Sequence, residues 1–203
     1  MIKTNVTRKF KFWCQTDAPS GIDSEISIIP IDVVDPTRTR YHKLSLLEYE
    51  QLSGDCVSFD LDMIIINNID HYLQPVDKFT LLYASFKSVD DVARKNRTRT
   101  EFKDCMINSS IFSWVAHSDN VKEILARHYT AKSDPHRGSL DRFLYWDCPD
   151  LIRTFAYRDY CLYKKDGFLE DKTFILFNQY PKQRDVLSDP KVSRHWSVSP
   201  PSL

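Results

Sequence analysis

The chain has 203 residues, 42% apolar and 28% charged, enough apolar material for one folded domain with its own core. Lys plus Arg and Asp plus Glu number 28 each, so the formal net charge is zero, which speaks against a non-specific nucleic-acid binder and its basic surface. Four glycines leave no Gly-rich phosphate loop, and no apolar run approaches the roughly 18 residues of a membrane span. In chain order, 8–15 (RKFKFWCQ) reads as a strand entering a core, and 16–21 is turn chemistry. A second strand is expected over 25–31 and a helix over 41–52, ended by Ser53-Gly54-Asp55. A buried strand over 57–66 follows, then a turn at 67–70 into a short helix over 71–74. The stretch 79–86 is a strand, 87–103 a polar loop, and 105–116 a buried strand pair interrupted by Asn108-Ser109-Ser110. Helices are expected over 118–130, capped by Ser118, and over 139–145. Strands at 158–163 and 173–177 precede a loosely helical 184–196 interrupted at Pro190. One domain is thus expected over 1–196, with a disordered Ser/Pro-rich tail over 197–203. Alternating strands and helices give an α/β fold with a mixed sheet.

The five cysteines, Cys14, Cys56, Cys105, Cys148 and Cys161, are odd in number and widely spaced. They read as free, buried thiols of a reducing compartment, with the protein expected in the cytoplasm. No leader pattern opens the sequence.

The stretch that organises the rest is 57–66, VSFDLDMIII. Eight of its ten residues are apolar or small, yet Asp60 and Asp62 sit inside it. An unpaired carboxylate is costly to desolvate. If the run is one strand, residues i and i+2 share a face and both acids can converge on one cation. The plain alternative is a strand end whose acids cap nearby backbone. Further polar clusters fall at predicted strand ends: Thr16-Asp17, Asn108-Ser109-Ser110, and 178–182 with Asn178 and Lys182. Lys43 and Asp141 lie on flanking helices. Taken singly, each reads equally as a turn, a loop or a solvated charge.

Their order carries more. FWCQTD at 12–17, Tyr41-His42-Lys43-Leu44, FDLDMIIINNID at 59–70, INSSIFSW at 107–114, GSLDRFLY at 138–145, FNQYPKQ at 177–183 and His195-Trp196 run in one series. In that series the chain resembles GT-A-type nucleotide-sugar glycosyltransferases, of the family 8-like and phage or bacterial capsular-sugar kind. The resemblance implies a GT-A-like mixed β-sheet flanked by helices. It implies a sugar moved from a nucleotide-diphosphate donor to an acceptor such as a glycan, lipid-linked sugar or protein. It implies Mn²⁺ or Mg²⁺ held by Asp60, Asp62 and Asn178 against the diphosphate. Asp17, Lys43, Asp60, Asn108, Ser109 and Lys182 would bind the donor, the two lysines as point charges on phosphate. Asp141 would stand near the anomeric carbon, to position it or to stabilise an oxocarbenium-like transition state. The anomeric configuration would be retained.

Two departures qualify the pattern. Asn178 stands where the family has its metal-ligating His in F-H-G-x-P-K-P, and Gln179 and Gln183 replace the following Gly and the second Pro. The family's first strand and helix, which cradle the base, are expected to be missing, since Met1-Ile2-Lys3-Thr4-Asn5 stands just before the family's second strand. A shortened fold is expected, or a second chain that supplies that strand. Two rivals stay open. One is a degenerate, non-catalytic glycosyltransferase-like binding subunit. The other is a haloacid-dehalogenase-type phosphohydrolase using the D-L-D, although Met63-Ile64-Ile65 follows where that motif continues with Gly. His71, His117 and His128 read as packing histidines, since none has a ligand partner close in sequence. Arg94, Lys95, Arg97 and Arg99 read as a solvated face or as a lid over the diphosphate.

Overall fold

The computed structural model describes residues 1–31, 42–84, 105–130, 139–178 and 180–196. The loop at 87–103 with its basic run, the 134–138 turn, Tyr41, Gln179 and the 197–203 tail lie outside the described residues. The chain is mixed α/β, with nine described strands in three sheets. It divides into two compact units, one of Phe10–Ser58 and Pro75–Phe155, the other of Met1–Lys9, Phe59–Gln74 and Ala156–Leu203.

In the larger unit, β1 (Trp13–Thr16) pairs in parallel with β2 (Ser27–Pro30). The first strand is thus shorter than the 8–15 expected. A four-stranded sheet holds β3 (Asp55–Phe59), β6 (Ile107–Val115), β5 (Phe79–Tyr83) and β7 (Ile152–Thr154), in that order. β5 is antiparallel to β6 and parallel to β7, a three-residue strand that no sequence pattern announced. Helix His42–Glu48 adds buried Leu44 and Leu47, and helix Asp119–Thr130 adds Val121 and Ile124 at the i, i+3 spacing of one face. Helix Leu140–Asp147 adds Leu140, Phe143 and Leu144. These meet Phe79, Leu81, Phe112 and Trp114 from the sheet in one core, where the Phe79 and Phe112 rings stack with centroids 5.1 Å apart. Each such side chain contributes about 1.5–3 kcal/mol through burial.

The caps follow the sequence. Ser118 Oγ accepts from Val121 N at 3.3 Å, and Ser139 Oγ accepts from Arg142 N at 3.3 Å. Arg127, in the last turn of its helix, forks onto both Asp150 oxygens at 2.6 and 3.0 Å. Gly54 turns the chain into β3 at φ +68, a left-handed conformation that glycine adopts without strain.

The expected interruption at Asn108-Ser109-Ser110 needs a correction. β6 runs through these residues as one nine-residue strand. What breaks is the pairing: the register jumps from Leu81–Phe112 to Leu82–Asn108. The polar trio is therefore a bulge inside a strand and not a loop between two.

In the smaller unit, β4 (Met63–Ile65) is antiparallel to β9 (Phe174–Leu176), which is parallel to β8 (Tyr160–Leu162). Ile64, Cys161, Phe168, Ile175, Phe177 and Val192 form its core. The 184–196 stretch is two helical pieces, a 3-10 helix Gln183–Val186 and an α-helix Pro190–His195, with the expected interruption just before Pro190, which opens the second because proline at the first helical position loses no helix hydrogen bond. Asp189 caps that helix and accepts from Tyr163 OH at 3.0 Å, while the Tyr163 ring stacks on Phe177. The Asn67-Asn68-Ile69-Asp70 turn leads into a short 3-10 helix, Asp70–Leu73. Asn67 donates to the carbonyls of Glu170 and Lys172, and Asp70 accepts from the Thr7 hydroxyl and, at 3.0 Å, from Thr7 N.

The largest correction concerns 57–66. It is not one strand. β3 ends at Phe59 in the four-stranded sheet, β4 begins at Met63 in the three-stranded sheet, and Asp60-Leu61-Asp62 forms the bend between them. The reason is the desolvation cost that made the stretch notable: two carboxylates inside a buried strand would stay unsolvated. The chain turns outward instead, leaving Leu61 91% exposed and both acids half-buried. The shared-face argument for i and i+2 does not apply to a bend.

Candidate functional site

The sequence-predicted residues fall into two groups, one in each unit. In the smaller unit, β9 ends at Leu176 beside the Asp60–Asp62 bend, and Phe177 N donates to the Asp62 carbonyl at 2.8 Å. Lys182 Nζ donates to Asp62 Oδ2 at 2.7 Å and to the Phe177 carbonyl at 2.8 Å. The Lys182 backbone is fixed in turn, since its N–H donates to Asp185 Oδ2 at 2.8 Å. Gln183 is 5% exposed, and its Nε2 donates to the Leu61 carbonyl at 2.9 Å. Proline at that position could not make this bond. Gln183 thus holds the backbone of the D-L-D bend. Asn178 is half-buried after β9.

In the larger unit, the bulge in β6 leaves the Ser109 main chain without a ladder partner on β5. Two side chains take its place. Asp141 Oδ1 accepts from Ser109 N at 2.9 Å, and Lys43 Nζ donates to the Ser109 carbonyl at 2.9 Å and lies 3.5 Å from Ser109 Oγ. Ser109 itself is buried. Asn108 Oδ1 accepts from Ser110 N at 2.9 Å, a local turn within the bulge. Asp17 stands exposed on the bend after β1, where Thr16 Oγ1 accepts from Ala18 N.

The implied cation would meet an all-oxygen donor set. Asp60, Asp62 and Asn178 offer only oxygen, the chemistry of a hard cation. The arrangement does not fit a resident dication, however. Asp62 already carries an ammonium at 2.7 Å, and Asp60 and Asn178 are engaged as well. No group of three His, Cys, Asp or Glu among the described residues could hold a metal ion.

One polar cluster escaped the sequence reading. Asp159, just before β8, accepts from the Tyr72 hydroxyl and the Thr173 hydroxyl and lies 3.0 Å from His71 Nε2. Tyr72 is fully buried, and burial followed by its bond to Asp159 pushes the phenol well above its usual range. The His71 ring packs edge-on against Tyr157, 4.5 Å between centroids. His71 and Asp159 are 88 residues apart, so no local spacing announces the pair. Two further histidines are structural: His117 Nε2 lies 2.9 Å from the Leu52 carbonyl, and His128 packs on Phe143.

All five cysteines are free thiols. Burial pushes Cys148 up to about 12, and burial with the Asp55 charge pushes Cys56 up to about 11. Among the described residues, no helix is long and apolar enough to cross a membrane. Compared with models of known protein families and with curated proteins, the chain matches none.

Proposed function

We propose that the chain transfers a sugar from a nucleotide-diphosphate donor to an acceptor hydroxyl. The observation that carries this reading is the Asp62–Lys182 pair. The resemblance gives Asp62 to the cation held against the diphosphate and Lys182 to the diphosphate itself; the two lie 120 residues apart in sequence and 2.7 Å from one another. The Ser109 corner lends support of the same kind, since Lys43 and Asp141, chosen from separate helices, both bond to Ser109. In this reading Lys182 stabilises charge that develops on the leaving diphosphate. Lys43 and Asp141 fix the strand segment that carries Asn108 and Ser109.

A second reading is a glycosyltransferase-like subunit that binds the donor without turning it over. One observation favours it: Asp141, assigned to the anomeric carbon, spends an oxygen on a main-chain N–H. Incubation with UDP-, GDP- and dTDP-sugars plus a panel of saccharide acceptors, scored by release of free nucleoside diphosphate, separates the two. Release that depends on Lys182 and Asp141 supports transfer. Binding without release supports the subunit, and neither binding nor release sinks both.

A further inference from the structure

We infer that Lys182 occupies at Asp62 the place the motif series gives to a divalent cation, so that this chain meets a diphosphate with an ammonium and not with Mn²⁺ or Mg²⁺. The ligand class rests on the proposed donor reading; the occupancy of Asp62 does not.

Two oxygens converge on Nζ, Asp62 Oδ2 at 2.7 Å and the Phe177 carbonyl at 2.8 Å. One is a charge and the other a main-chain carbonyl, a combination that would equally suit a hard cation. The lysine is held there from both sides. Asp185 fixes its backbone N–H, and the next residue, Gln183, is tied to the Leu61 carbonyl of the same bend. It is thus not a solvated lysine that met an acid by chance. An ammonium carries three N–H donors. Asp62 and Phe177 take two, and the third has no partner among the described residues, on a side chain 39% exposed. That donor is available to a phosphate oxygen. A dication brought to Asp62 would face a like charge at contact distance and would have to expel it. Asn178, at the family's imidazole ligand position, is a weaker partner for Mn²⁺ and does not offset that cost.

The test uses the full chain with two probes. Mn²⁺ is titrated by electron paramagnetic resonance, without nucleotide, into wild type, Lys182→Met and Lys182→Met/Asp62→Asn. The inference expects Lys182→Met to bind Mn²⁺ at least tenfold more tightly than wild type, and the double variant to lose that gain. Wild type binding Mn²⁺ as tightly as Lys182→Met overturns it. Pyrophosphate is titrated by calorimetry in the presence of EDTA. Wild type is expected to bind, and Lys182→Met to bind at least tenfold more weakly. Pyrophosphate binding by wild type only after Mn²⁺ is added overturns the inference, and so does no binding at all. Both pyrophosphate outcomes that overturn it read on wild type, so a poorly folded variant cannot hide them. Pyrophosphate and Mn²⁺ behaving as expected while every nucleotide sugar fails to bind would sink the transferase reading and leave the Lys182 assignment standing.

Discussion

The Ser109 corner and the Asp62 corner each contain a lysine and an aspartate, and they use them in opposite ways. At Ser109 both charges bond main chain: Asp141 takes the N–H and Lys43 the C=O of one buried residue. They complete a strand ladder that the bulge left open. At Asp62 the lysine bonds the carboxylate side chain to side chain, on a bend whose tip, Leu61, is almost fully exposed. The first corner is built into the fold. The second is half-open charge that the fold holds in position. The same residue types therefore imply different consequences on removal, because what decides is whether the partner is a buried main-chain group or a half-exposed side chain.

The comparison breaks if carboxylates in the smaller unit matter to stability only as little as Asp62 should. Asp159 is the control. Asp159→Ala leaves the buried Tyr72 hydroxyl and the Thr173 and His71 donors without their acceptor, and should cost about 3–4 kcal/mol in urea unfolding. Next comes the Ser109 corner. Asp141→Ala should cost about 2 kcal/mol and Lys43→Met about 1 kcal/mol, since each strands one main-chain group of a buried residue. A loss at Asp141 no larger than at an exposed site would remove the distinction between the corners. Lys182→Met is expected to change the unfolding free energy in urea by less than about 1 kcal/mol, the ordinary worth of a half-exposed ion pair.

Acid sharpens the picture further. Bonds from Thr7 hold Asp70 below the usual carboxylate range, and the Arg127 fork does the same for Asp150. The unfolded chain therefore takes up these protons at a higher pH than the folded one. Their contribution is complete above the ordinary carboxylate range and is lost as pH falls through the lowered folded values. The part of the stability that these two acids contribute should be constant above about pH 5 and decline below about pH 4, with a smaller decline in Asp150→Asn. The smallest effect is chemical. Burial keeps the Cys148 and Cys161 thiols protonated at neutral pH, so iodoacetamide should label them in the native chain far more slowly than in urea, as read by mass spectrometry.

Much of the element order was legible because apolar spacing reports burial directly. Helix Asp119–Thr130, with Val121 and Ile124 on one face and Ser118 at its cap, needed only local pattern. So did the Asn67–Asp70 turn. The break at Asp60–Asp62 was misread, although its cause was in plain view: acids that cannot be buried mark a bend as readily as a ligand site. The bulge at Ser109 was hidden because a register jump belongs to a strand pair and not to either strand alone. β7 was missed for its length, three residues with one exposed position. The His71–Asp159 pair was out of reach of any spacing argument, since only the fold brings 71 next to 159. Lys182 beside Asp62 was within reach only as a resemblance.

The most direct measurement is calorimetric titration of UDP-, GDP- and dTDP-sugars into wild type and Lys182→Met, after both are shown to share a urea midpoint. The account predicts that at least one donor binds wild type in EDTA and binds the variant at least tenfold more weakly. Equal binding by the two proteins, or no binding of any donor to wild type, would contradict it.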